Sequence, residues 1–99
     1  MAFCMVQDWI EPETDRSTTN YDAISARLTP LAGEAQGFIA HAAGFTGDGF
    51  RIIELWETRE DCERFMEEQV MPAVMELSAG PPVAPTTTAY ELHNLVVSD

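Results

Sequence analysis

The opening stretch AFCMVQDWI, Ala2 to Ile10, carries two apolar sets. Cys4, Val6 and Ile10 fall on one side of an extended chain, and Phe3, Met5 and Trp9 fall on the other. A strand that is apolar on both sides reads as a buried central strand rather than an edge. Glu11 and Pro12 end it, and a polar loop is expected to about Ser17. Tyr21, Ile24, Leu28 and Leu31 then recur at helical spacing, with Thr18 or Thr19 placed to cap the first turn. Pro30 is expected to distort or end this helix, and Gly33 to close it. FIAHAAGF, Phe38 to Phe45, is a second strand, GFTGDG a glycine-rich turn, and FRIIELWE, Phe50 to Glu57, a third strand antiparallel to the second. Thr58 opens a second helix, with Asp61 three residues on in the manner of a capping box. Glu60, Asp61 and Glu63 sit at the end where the helix dipole favours negative charge. Cys62, Phe65, Met66 and Val70 form the buried stripe, and Pro72 kinks this helix or starts a short second one. SAGPPVAPTTT is a loop, and Thr87 to Val97 the closing strand.

The order β-α-β-β-α-β predicts a ferredoxin-like α+β fold: a four-stranded antiparallel sheet with both helices on one face. No internal repeat or boundary interrupts it, so residues 1–99 read as one domain. Two helices shield only one side of the sheet. The strands are apolar on both: Phe3, Met5 and Trp9 oppose Cys4, Val6 and Ile10, and in the last strand Leu92 and Val96 oppose Leu95 and Val97. Leaving a large side chain exposed forfeits about 1.5–3 kcal/mol, and a wide apolar patch is rarely left open on a monomer. The economical cover is a second copy, sheet against sheet, in a two-fold homodimer.

Charge narrows the partners. Seventeen carboxylates face five arginines and no lysine, for a net charge of −12. That balance opposes nucleic acid and anionic membrane surfaces and favours neutral or cationic ligands. Cys4 and Cys62 are too few for a disulfide framework. The N-terminal MAFCMVQDWIEPETD lacks a basic segment and turns acidic early, unlike a signal peptide. No apolar run approaches membrane-spanning length, and a cytoplasmic protein is expected.

GFIAHAAG, LWETRED (Leu55 to Asp61) and YELHNLV together resemble the dimeric α+β barrel superfamily, in its antibiotic-biosynthesis-monooxygenase-like branch. The resemblance spans nearly the whole chain. It implies a pocket between sheet and helices in each protomer, and a second strand lying near the last strand of the partner. It also implies, for the cofactor-free quinone-forming members, a tryptophan on the third strand and an asparagine four residues earlier. Trp56 matches the tryptophan; Ile52 stands at the asparagine position and cannot hydrogen-bond a substrate.

His41 is the leading candidate for chemistry. Imidazole exchanges protons near neutral pH, and Ala40, Ala42, Ala43 and Gly44 leave room around it. The bland alternative is a histidine hydrogen-bonded within the sheet or facing the dimer seam. His93, on the last strand, would meet His41 across the dimer implied by the resemblance. Two imidazoles make a poor metal site, and no HxH or HExxH spacing appears, so no metal is expected. Glu54 and Trp56 share a strand face, where a carboxylate beside an indole suits acid–base work. The alternative pairs Glu54 with Arg51, Arg27 or Arg64 and makes Trp56 simple core. Tyr90 and Asn94 are expected on one face of the last strand, as oxyanion donor and carbonyl anchor, or as edge packing. Phe38 joins the aromatic walls. The cysteines read as buried small hydrophobes. No P-loop, nucleophile elbow or dinucleotide fingerprint is present.

The expectation is an enzyme acting without a cofactor on a small hydrophobic or aromatic molecule, by oxygenation or by acid–base cyclisation or isomerisation. His41 and Tyr90 would be catalytic, with Trp56, Glu54, Asn94, His93 and Phe38 binding substrate. The alternatives are a non-catalytic small-ligand-binding or accessory protein, and a haem-binding barrel with an axial histidine.

Overall fold

The computed structural model describes residues 1–10, 18–78 and 84–98. Its elements run β1 (Phe3–Ile10), α1 (Thr19–Glu34), β2 (Phe38–Phe45), β3 (Gly49–Trp56), α2 (Arg59–Phe65), a π-helical turn (Met66–Val70), α3 (Met71–Leu77) and β4 (Thr86–Glu91). The strands form one antiparallel sheet in the order β2-β3-β1-β4, with β1 inside it as its two apolar sides require. This is the expected ferredoxin-like α+β arrangement. The polar loop expected at 11–17 and residues 79–83 of the loop expected over SAGPPVAPTTT lie outside the described residues, and the closing TTT of that loop belongs to β4. Among those described, no helix is long and apolar enough to cross a membrane.

Register sorts the side chains into two faces. Phe3, Met5 and Trp9 of β1 stand beside Trp56, Glu54 and Phe50 of β3. This side meets the helices: Phe3, Met5 and Trp56 pack with Cys62 and Phe65 of α2, ringed by Leu28 and Ala32 of α1 and by Met66 and Val70 of the π turn. Cys4, Val6 and Ile10, beside Leu55, Ile53 and Gly49, occupy the opposite side. There Ile10 remains 45% and Ile53 36% exposed.

Two expectations about the first helix change. α1 runs through Pro30 and Gly33 to Glu34. Proline removes one N–H, but Leu28 and Ala32 pack on the core from either side of it, and that burial carries the last turn. Gly37, at φ +82°, makes the reversal instead. A Cβ there would also collide with the Asp61 carboxylate. The second helix begins as expected, with Thr58 accepting from the Asp61 N–H at 3.1 Å. It passes through the π turn, and Pro72 falls in the first turn of α3.

β4 is shorter than Thr87–Val97. Glu91 pairs with Phe3, the Leu92 N–H donates to the Ala2 carbonyl at 2.7 Å, and β1 then has almost no chain left to pair with. Leu92–Ser98 run past the sheet, so the alternation expected of Leu92, Leu95, Val96 and Val97 is not realised. Val96 is 84% exposed.

Candidate functional site

The site begins with an irregularity in β2. Phe38 pairs with Trp56, but Ala40 pairs with Leu55 and His41 with Glu54. Ile39 is the extra residue of a β-bulge. In a regular strand, His41 would lie three places from Phe38 and point to the opposite side, because side chains alternate. The bulge resets the alternation and turns His41 to the helix-covered side, with Phe38, Glu54 and Trp56. Nothing in FIAHAAGF announces the bulge, since the strand has no polar–apolar alternation to interrupt.

A continuous chain of hydrogen bonds follows. Trp56, fully buried, donates its indole N–H to Glu54 Oε1 at 3.0 Å. His41 Nδ1 lies 2.9 Å from Glu54 Oε2. Tyr21, in the first turn of α1, places its hydroxyl 2.7 Å from His41 Nε2. A carboxylate only accepts, so Nδ1–H donates to Glu54, and in the neutral ring Nε2 accepts the Tyr21 O–H. Glu54 is 8% exposed, with both oxygens partnered. It is the arrangement that orients a histidine ring and turns its second nitrogen to the Tyr21 hydroxyl. None of the three arginines named for Glu54 reaches it: Arg51 binds Asp8, Arg27 binds Glu76 and Arg64 binds Asp61. Aromatic rings frame the chain. Phe38 meets Trp56 edge-on at 5.3 Å, and Tyr21 stacks on His41 at 6.1 Å and contacts Phe50 at 5.2 Å.

The structure thus brings His41, Glu54, Trp56 and Phe38 together. Within one protomer it does not bring Tyr90, His93 or Asn94 to them. Tyr90 pairs with Cys4, on the side away from the helices, and that contact pushes its phenol pKa up. His93 and Asn94 lie beyond the end of β4, so Tyr90 and Asn94 share no strand face. Sequence reading missed Tyr21, which it took as part of an apolar stripe. The signal available was its hydroxyl, a polar group at the end of that stripe.

A separate cleft of about 430 Å³ opens over β1 and β4, against α2 and the π turn. Phe3, Met5, Cys62, Met66 and Met71 line it, and the Arg59 guanidinium lies 5.1 Å from the Phe3 ring centroid. None of the hydrogen-bonded residues of the chain above reaches this cleft. Burial, and then the charges of Glu54 and Glu63, push the Cys62 thiol up to about 12. It stays protonated at neutral pH and is no nucleophile there.

With this geometry the chain can be compared with known structures. One match is a protein of unknown function from Nitrosomonas europaea, 18% identical over 99% of this chain and 94% of that one, with a TM-score of 0.65. A cofactor-independent oxygenase from Streptomyces nogalater is 13% identical over 96% and 94%, with a TM-score of 0.58. A dimeric protein of unknown function and ferredoxin-like fold from Bacteroides fragilis is 9% identical over 92% and 95%, with a TM-score of 0.64. The chain has the fold of the antibiotic-biosynthesis-monooxygenase-like structures. No family model and no curated protein matches its sequence.

Proposed function

We propose that this protein is a cytoplasmic, homodimeric small-molecule enzyme of the monooxygenase-like barrel type. It acts without a cofactor on a hydrophobic or aromatic metabolite, by oxygenation or by acid–base cyclisation or isomerisation. The observation that carries this reading is the buried Glu54 carboxylate bonded to His41 at 2.9 Å and to Trp56 at 3.0 Å. Burying a carboxylate is costly unless it is fully bonded. Here the bonds orient an imidazole and stabilise the positive charge it gains when it takes a proton. That supports proton removal from an enol, a phenol or a carbon beside a carbonyl, the first event in any of the reactions named. An axial-haem role for His41 has less support, because both ring nitrogens are already engaged.

The homodimer reading rests on the uncovered side of the sheet, where Ile10, Ile53 and Tyr90 are exposed, and on the dimeric Bacteroides neighbour. A second reading, ligand binding without chemistry, is favoured by the apolar cleft, which stands apart from the imidazole.

Deuterium exchange at the acidic carbon of 2-tetralone, an aromatic ketone, separates the two readings. Catalysed exchange should fall about 10²–10⁴-fold in His41→Asn and in Glu54→Gln, the range for loss of a general base. Exchange unchanged in a folded His41→Asn protein overturns the acid–base reading.

A further inference from the structure

We infer that Tyr21 is a further catalytic residue of this site, the group that touches the substrate and exchanges the proton with it on behalf of His41. The inference rests on the acid–base reading above and names the contact atom. Each polar atom behind Tyr21 is committed: the Trp56 N–H and His41 Nδ1 to Glu54, and His41 Nε2 to the Tyr21 hydroxyl. With Nε2 occupied, the imidazole has no nitrogen to offer a ligand. The tyrosine oxygen still has acceptor capacity, because a hydroxyl carries one proton and two lone pairs.

The ring is held in place for this. It stacks on His41 with planes 21° apart and tilts against Phe50, which itself meets Phe45 edge-on at 5.0 Å. The Tyr21–His41 contact is the exposed end of the chain, so a flat conjugated molecule can approach the Tyr21 oxygen from solvent. The step balances without a co-reactant. The substrate C–H or O–H proton moves to the Tyr21 oxygen as the Tyr21 proton moves to His41 Nε2. The bonding pair stays on the substrate as an enolate or phenolate, and the new imidazolium faces the Glu54 carboxylate. Running the transfer backwards onto a neighbouring carbon gives isomerisation.

The test compares Tyr21→Phe, which keeps the ring and removes only the hydroxyl, with His41→Asn and the double variant. The probe is 2-tetralone in deuterated buffer, read by proton NMR. Tyr21→Phe should slow catalysed exchange about 10²-fold or more and flatten its pH profile. The double variant should be no slower than His41→Asn, because the two groups act in series. In protein with ¹⁵N-labelled histidine, the His41 Nε2 resonance should move in Tyr21→Phe while Nδ1 stays bonded. Wild-type exchange in Tyr21→Phe, with His41→Asn inactive, overturns the role of Tyr21 and leaves the acid–base reading standing. An unmoved Nε2 resonance removes the contact itself. No exchange catalysed by the wild-type protein overturns both.

Discussion

The two sides of one sheet follow different rules. On the helix side, Glu54 is nearly sealed from water, yet each of its oxygens has a partner, and its neighbour Trp56 is fully buried. On the other side the polar residues form an open ion pair, Arg51 to Asp8 at 2.7 Å, while Ile10, Ile53 and Tyr90 face outward. A buried carboxylate is tolerated only when fully bonded, so the helix side invests its precision in a polar chain. Among the described residues the outer side has apolar area and no such chain. The proposed function assigns chemistry to the first side and association to the second. A single bulge at Ile39 assigns His41 to the first.

The largest expected effect comes from breaking the helix side at its centre. Trp56 packs against Phe38 and Phe65, both at 5.3 Å, and closes one end of the hydrogen-bond chain. Trp56→Ala should cost about 3–5 kcal/mol in a urea melt, as large aromatic truncations in a core do. A loss under about 1 kcal/mol would mean that this side is not the core.

Glu54→Ala comes next. It strands the buried indole N–H without an acceptor, at a cost of about 1–3 kcal/mol, and leaves the more exposed His41 Nδ1 to water. Glu54→Gln keeps one carbonyl acceptor and should retain more stability while still failing in exchange. Equal stability losses in the two variants would contradict the bonding described.

Cys62 gives a smaller effect with a definite sign. Its thiol is pushed up to about 12 from an ordinary 9.0. Between those values the folded chain holds a proton that the unfolded chain has lost, so stability falls as pH rises through that window and is unaffected below it. Denaturation midpoints taken from about pH 8 to about 11 should fall more steeply for wild type than for Cys62→Ala. Parallel slopes would show that burial does not hold the thiol.

The fold was largely legible because patterning reports what each element must hide. Two apolar sets in Ala2–Ile10 located the central strand, and Thr58 with Asp61 located a helix start. The shared face of Glu54 and Trp56 followed from strand alternation alone. What escaped depended on pairing, which no single segment records. The bulge exists only relative to β3, and the end of β4 is set by where β1 begins. Tyr21 reaches His41 from a helix twenty residues away in the chain. Its apolar ring fitted the stripe so well that its hydroxyl carried no weight.

The outer side supplies the smallest effect within one chain and the sharpest test of its role. Ile53 is 36% exposed in the single protomer, and Ile53→Thr keeps the β-branched shape there while making the outward face polar. The loss within one protomer should stay within about 1.5 kcal/mol, the range for removing part of a half-covered aliphatic side chain. If a second copy covers this side, the same substitution weakens a contact that exists only in the dimer, and stability becomes dependent on protein concentration. Melting temperature should then rise with concentration for wild type and much less for Ile53→Thr, the two converging at high dilution. Sedimentation should show the variant dissociating first. If both proteins melt identically at every concentration, the exposed isoleucines face water, and the contrast between the two sides is one of burial alone.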